Sequence, residues 1–186
     1  LAAEDGSDLD DPVIGSQMLY TSGTTGHPKG VWKEPSSARP ASITQHLEYI
    51  PGEDLDLCTG PLYHAAPLGI SLIQPLNSGV GSYLMDKWTP EECLRVIQEY
   101  KITHSHMVPT MFHRMLALDE DVRNQYDVSS MKYLIHGAAP CPVHVKKATM
   151  EWFGQIMFEY YGGTEGGGGC YILPEDWFKK PGSVGK

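Results

Sequence analysis

Thr89-Pro90-Glu91-Glu92-Cys93-Leu94-Arg95-Val96-Ile97-Gln98-Glu99-Tyr100-Lys101-Ile102-Thr103-His104-Ser105-His106-Met107-Val108 is the stretch on which the reading of the fold turns. A threonine precedes a proline and two acids, which is a strong helix start. The hydroxyl accepts from an orphan backbone N–H, proline suits the first helical position, and the acids meet the positive end of the helix dipole. Leu94, Ile97 and Tyr100 follow at three-residue spacing and share one face. Residues 102–108 then read as a strand, and residues 80–85 as the strand before the helix. Strand, helix and strand at this spacing predict a parallel crossover unit.

Working outward, the same alternation recurs. Residues 17–21 read as a short buried strand, 22–30 as a glycine-rich loop, and 33–40 as a loop in which Pro35 and Pro40 oppose helix. A helix is expected over 41–50, ended by Pro51-Gly52, then a strand over 55–59. Residues 64–76 read as an apolar helix despite Pro67 and Pro75. A helix over 110–118, a strand over 132–136, a helix over 143–153 and a strand over 156–160 complete the pattern. The expected class is α/β, a mostly parallel sheet with helices on its faces, preceded by an acidic flexible lead-in over residues 1–15. Open sheets of this kind bind ligands at the carboxyl ends of their strands. The chemically unusual segments lie at such ends, and no internal repeat is visible.

One of them is Thr21-Ser22-Gly23-Thr24-Thr25-Gly26-His27-Pro28-Lys29-Gly30. Glycines let backbone N–H groups turn toward an anion, hydroxyls add donors for phosphate oxygens, and Lys29 adds a point charge. It is not a Walker loop, because Pro28 precedes the lysine and Gly30 stands where Ser or Thr is required. By composition alone it reads equally as a small polar surface loop. Residues 21–30 resemble the phosphate-loop signature of the adenylate-forming superfamily, which includes acyl-CoA synthetases, luciferases and peptide-synthetase adenylation domains. Every fixed position of T/S-S/T-G-T/S-T-G-x-P-K-G is matched. The resemblance implies that Thr21, Ser22, Gly23, Thr24, Thr25, Gly26 and Lys29 hold the β- and γ-phosphates of ATP.

Further segments follow in the family's order. Tyr160-Tyr161-Gly162-Gly163-Thr164-Glu165 resembles the family's Y-G-x-T-E. Tyr161 offers a ring face for adenine, Gly162 and Gly163 permit close backbone approach, Thr164 suits the α-phosphate, and Glu165 is a hard carboxylate for Mg2+. Tyr160 falls in the same AMP-binding segment, and Thr164, Glu165 and Lys29 are the expected catalytic residues. His136-Gly137-Ala138-Ala139-Pro140 resembles the family's G-A-A-P turn. Gly137, Ala138, Ala139 and Pro140 are thereby expected beside adenine, and His136 and Gly162 in the acyl pocket. Pro61-Leu62-Tyr63-His64 resembles the carboxylate-pocket stretch, which makes His64 a further pocket candidate. Lys180-Pro181-Gly182-Ser183-Val184-Gly185 resembles a later, mainly structural motif. Alone, His64 also reads as an ordinary core or capping histidine, and His104 with His106 as a packed strand, since no acid or cysteine completes a metal ligand set.

The remaining numbers exclude other classes. Of 186 residues, 41% are apolar and 20% charged, as in soluble globular proteins. Fourteen basic against 23 acidic residues give a net charge of −9, which disfavours nucleic acid and anionic membrane as partners. No 18-residue apolar run predicts a membrane span. Cys58, Cys93, Cys141 and Cys170 form no C-x-x-C pair and are expected reduced, in the cytoplasm.

The resemblance covers nearly the whole chain. It implies a doubly wound sheet with helices on both faces, with residues 16–186 forming the central part of an AMP-binding domain. It also implies an acid–thiol ligase that uses ATP, Mg2+ and coenzyme A. A carboxylate displaces pyrophosphate to give an acyl-adenylate, and a thiol then displaces AMP. The G-A-A-P turn and the segment Val31-Trp32-Lys33-Glu34-Pro35 favour a fatty or other bulky acid. The family's ribose aspartate, hinge and adenylation lysine come after the last matched motif. A fragment inactive by itself is therefore expected, with the rest of its own chain as a partner. A homodimer is compatible with this reading. The alternatives are an adenylation domain loading a carrier protein and a non-catalytic nucleotide-binding relative.

Overall fold

A computed structural model of the chain describes residues 17–21, 26–32, 43–165 and 169–185. The chain divides into two compact units, residues 1–39 and 40–186. The lead-in over 1–15 and the loop over 33–40 lie outside the described residues.

In the first unit, β1 (Leu19–Thr21) pairs antiparallel with β2 (Lys29–Val31), with Thr21 opposite Lys29 and Leu19 opposite Val31. Lys29 and Gly30 are thus strand residues, where a loop was expected. Cross-strand pairing satisfies their backbone groups, which a free loop would leave to water.

The second unit is built on β3 (Leu55–Cys58), β4 (Gly81–Leu84), β5 (His104–Met107), β6 (Tyr133–His136), β7 (Met157–Gly162) and β8 (Gly169–Ile172). They form one six-stranded sheet in the order β4-β3-β5-β6-β7-β8. The first five in spatial order are parallel, and β8 is an antiparallel edge strand on β7. β8 was not foreseen: its glycine-rich approach reads as loop, and the Cys170-Tyr171-Ile172 run is short.

One sheet face is covered by α3 (Pro90–Tyr100), α4 (Pro109–Leu116), α6 (Val143–Phe153) and the short α7 (Pro174–Trp177). Leu94, Ile97, Phe112, Met150 and Trp177 pack there on Leu57, Met107, Leu134, Met157 and Ile172. Each fully buried large side chain contributes roughly 1.5–3 kcal/mol. The Thr89 hydroxyl accepts from the Glu92 N–H at 3.3 Å, as the helix-start pattern requires. Tyr100 departs from its expected place in the buried stripe. It is 44% exposed and lies against Tyr83.

The opposite face carries a helical run of three parts: α1 (Ala65–Leu68), a π turn (Gly69–Ile73) and α2 (Gln74–Asn77). Pro75 has no N–H to offer the Ser71 carbonyl, which accepts from the Ser82 hydroxyl instead. That substitution explains the widened turn. The helix expected over 41–50 shrinks to one 3-10 turn (Ile43–His46), with residues 41 and 42 outside the described set. Beyond it the chain follows its side chains onto the sheet. The Tyr49 ring stacks on His104 at 4.2 Å, its hydroxyl donates to Asp56, and the Ile50 N–H donates to Asp54. A short α5 (Glu120–Arg123) between α4 and β6 was also not foreseen.

His104 and His106 both face this second side. His104 is sandwiched between Tyr49 and Tyr133, and His106 bonds to Tyr160. No group of three metal-ligating side chains occurs among the described residues. Burial holds both imidazoles neutral, pulling each down to about 4. Their ordinary value in an unfolded chain is near 6.5. Between those values the unfolded chain takes up protons that the folded chain refuses, so stability is full above pH 6.5 and falls as pH drops toward 4. Each ring should contribute a slope of about 1.4 kcal/mol per pH unit in that window. Asp56, whose carboxyl is raised by burial well above the usual carboxylate range, works in the opposite sense. Urea denaturation between pH 7 and 4.5 should therefore show a shallower acid slope for His106→Leu than for the wild type. Identical slopes would contradict this account of His106.

Candidate functional site

Because β3, β5, β6 and β7 run in one direction, the segments that leave their carboxyl ends emerge from one edge of the sheet. Three of the segments singled out in the sequence begin there: the one leading to His64, the turn Gly137-Ala138-Ala139-Pro140, and Tyr160 through Glu165. Specific contacts join them. The Thr59 hydroxyl, at the end of β3, donates to the His106 carbonyl at 2.7 Å. The His106 ring shares a 3.1 Å hydrogen bond with the Tyr160 hydroxyl. Tyr160 in turn lies hard against Gly137. A Cβ on Gly137 would stand 2.7 Å from two ring carbons of Tyr160 and 2.9 Å from its carbonyl oxygen. A side chain at this position would force Tyr160 to shift. Burial pushes the Tyr160 phenol up to about 12, and it stays a neutral partner for His106.

Ala138 adopts φ +70°. That left-handed conformation costs an alanine energy, and surrounding contacts must enforce it. The strained residue sits in the turn expected beside adenine.

Successive residues of β7 alternate between the two faces. Tyr160 joins the cluster of Ile43, Leu47 and Ile135 on the second face. Tyr161 follows Glu159 on the α6 face, at the end of β7, and is 67% exposed. An open aromatic ring at a strand end is a stacking surface. Gly162 is exposed opposite Gly169, Thr164 is half-buried, and Glu165 is exposed in the turn that follows. The arrangement thus leaves the Tyr161 ring open to solvent on one face and packs Tyr160 with His106 on the other.

His136 does not join Tyr160 and His106. Its ring is fully buried on the α6 face, edge-on to Phe112, with Nε2 3.6 Å from Glu159 Oε2. As Leu134 and His136 share a face, the imidazole points away from Tyr160. Burial, with Lys146 and His106 nearby, holds it far below the usual histidine range. His64 is exposed just before α1, its ring 4.7 Å from that of Tyr63.

Sequence reasoning missed the charged pair behind the turn. Lys146, fully buried in the first turns of α6, donates to Glu159 Oε2 at 2.8 Å and lies 5.0 Å from the Trp177 ring. A signal existed: Glu159 falls on the inward register of β7 with Met157, and Lys146 on the buried stripe of α6 beside Val145, Thr149 and Met150.

In the first unit, the hairpin brings Thr21 and Lys29 together at the base of the glycine-rich loop, where the Thr21 hydroxyl donates to the Lys29 carbonyl at 3.5 Å. Gly26 has φ +92°, and Lys29 is exposed. A φ of that sign favours glycine. Ser22, Gly23, Thr24 and Thr25 lie outside the described residues. A cavity of about 460 Å³ elsewhere in the second unit is lined by His46, Tyr171, Asp176, Lys179, Lys180 and Ser183, so the segment 180–185 forms one of its sides. None of the expected site residues lines it.

Comparison with known proteins points to one family. The family described as AMP-binding enzyme matches residues 4–186. A 4-coumarate–CoA ligase of Pinus taeda is 35% identical over 160 residues, covering 81% of this chain and 29% of that protein. A medium/long-chain-fatty-acid–CoA ligase of Mycobacterium tuberculosis is 35% identical over 158 residues, covering 83% of this chain and 26% of that protein. Among solved structures, O-succinylbenzoate coenzyme A synthetase from Bacillus subtilis, in complex with ATP and magnesium ion, superposes with a TM-score of 0.68 at 25% identity. That match covers 91% of this chain and 34% of the other. The chain thus spans about a quarter to a third of the length of these relatives.

Replacing Gly137 by alanine should force the Tyr160 ring and its backbone apart and lower stability by about 1–3 kcal/mol, as overpacking does. The pair Gly137→Ala, Tyr160→Leu should recover part of that loss in a thermal melt. No loss in the single variant would contradict the close approach.

Proposed function

The chain belongs to the AMP-binding enzyme family, and on that premise we propose that it supplies the nucleotide-holding part of an acyl-CoA synthetase. The enzyme activates a carboxylic acid with ATP, forms an acyl-adenylate with release of pyrophosphate, and passes the acyl group to coenzyme A with release of AMP. Residues 16–186 are read as the central part of its AMP-binding domain and residues 1–15 as a lead-in. The observation that carries the reading is the meeting of the Gly137–Pro140 turn and the Tyr160–Glu165 strand end at one edge of a parallel sheet. An open aromatic ring stands on one face there, and the hydrogen-bonded pair of Tyr160 and His106 on the other.

Roles follow from chemistry. The Tyr161 ring takes adenine, with the small Gly137, Ala138, Ala139 and Pro140 beside it and Gly162 close behind. The Thr164 hydroxyl donates to the α-phosphate, where negative charge gathers as the carboxylate attacks. Lys29, Thr21 and the glycine-rich loop hold the β- and γ-phosphates, so Lys29 offsets the charge of departing pyrophosphate. On the other face Tyr160, His106 and His64 bound the acyl group. A carboxylate substrate needs no protein nucleophile, so positioning and charge neutralisation account for the first half-reaction.

Magnesium fits the residues present. Glu165 is an exposed carboxylate after the strand end. It is a hard oxygen donor that leaves room for water and phosphate oxygens in the coordination sphere. Bound there, the ion would neutralise phosphate charge. The relatives named as 4-coumarate and medium/long-chain-fatty-acid ligases support a bulky aryl or fatty acid as substrate. No helix among the described residues is long and apolar enough to cross a membrane. The four free thiols support a cytoplasmic location.

Titration of ATP with Mg2+ into the full-length enzyme by calorimetry tests the assignment. Lys29→Ala with Glu165→Ala removes two charged contacts, each worth about 1.5–3 kcal/mol, and should weaken binding at least tenfold. A double variant that binds as tightly as the wild type would overturn the assigned roles.

A further inference from the structure

We propose that the buried Lys146–Glu159 ion pair is a positioning clamp that sets the width of the adenine slot between Tyr161 and the Gly137–Pro140 turn. The proposal rests on the reading of those two segments as nucleotide-facing.

The two sides of the slot belong to different elements. The turn runs from the end of β6 into α6, while Tyr161 stands at the end of β7. Glu159 lies two residues before Tyr161 on the same face, and Lys146 in the first turns of α6 donates to its Oε2 at 2.8 Å. The His136 ring at the end of β6 packs nearby, with Nε2 3.6 Å from the same oxygen and no hydrogen bond to it. The carboxylate thus ties the helix that follows the turn to the strand that carries Tyr161. Trp177 of α7 closes over the lysine at 5.0 Å. Both side chains of the pair are nearly or fully removed from solvent.

Such a pair is a poor way to gain stability. Desolvating two charges offsets their attraction, and apolar residues of similar volume often serve the fold as well or better. What apolar packing does not provide is a directed link of fixed length between two elements. Beside it, Ala138 is held at φ +70°. The turn is thereby kept in a conformation that its own sequence does not favour. A rigid tether immediately behind a strained turn is what a slot of defined width requires.

The test uses the full-length enzyme with Lys146→Met, Glu159→Leu and the double variant. Melting temperature is read by calorimetry, and acid-dependent pyrophosphate release at varied ATP and varied carboxylate. Each single variant should lose stability. The double variant should melt near the wild-type temperature yet keep an ATP KM on the order of tenfold higher, with the carboxylate KM little changed. A double variant with wild-type ATP KM at wild-type melting temperature would show that the pair only holds the fold. Should the double variant fail to fold, Glu159→Gln, which keeps the side-chain shape, is expected to raise the ATP KM alone. An unchanged ATP KM in that variant overturns the clamp. Absence of acid-dependent pyrophosphate release in the wild type would instead overturn the nucleotide reading, and the clamp with it.

Discussion

Parallel pairing makes the strands β3 to β7 depend on crossovers, and each crossover leaves from the carboxyl edge of the sheet. The polar, glycine-containing segments after β3, β6 and β7 are far apart in sequence, but this geometry sets them side by side. No single loop among the described residues forms a site by itself. Thr59 reaching the His106 carbonyl, and His106 reaching the Tyr160 hydroxyl, are contacts that parallel strands set close together allow.

The alternation of β7 then divides the labour. Glu159 and Tyr161 look toward α6, whereas Phe158 and Tyr160 look toward the helical run that begins at Ala65. A flat aromatic surface is left open on one side of the strand end, and a hydrogen-bonded wall is built on the other. A ligand with a planar base and an apolar acid meeting at one phosphate suits two faces of the same strand end. The polar groups committed to this arrangement are buried and therefore must be paired. Lys146 with Glu159, and His106 with Tyr160, meet that demand.

Much of this was legible in the sequence because local chemistry agreed with the final fold. Thr89 and Pro90 announce α3, the apolar spacing of Leu94 and Ile97 places its buried side, and residues 143–153 form the helix expected of them. What was not legible depended on distant partners. Ile43 to Ile50 has the composition of a helix, but Tyr49 has a stacking partner in His104 and a carboxylate in Asp56, and the chain unwinds to reach both. β8 is too short to announce itself and exists because β7 offers it an edge. Which face His136 occupies is set by the register of β6, and a residue before a turn can face either way until that register is known. Lys146 and Glu159 each fall on an inward register, and their pairing shows only once α6 and β7 are set side by side. In the glycine-rich loop, the motif was plain in the sequence, and the strand assignment of Lys29 and Gly30 came only with the pairing to Tyr20 and Thr21.

The central claim is that these strand-end segments serve carboxylate activation at the α-phosphate of ATP. Exchange of labelled pyrophosphate into ATP by the full-length enzyme, with and without a panel of aryl and fatty acids, tests it most directly. The account predicts exchange that requires a carboxylate and Mg2+ and proceeds without coenzyme A. Carboxylate-independent release of ADP and phosphate, or no exchange with any acid while ATP still binds, would contradict it.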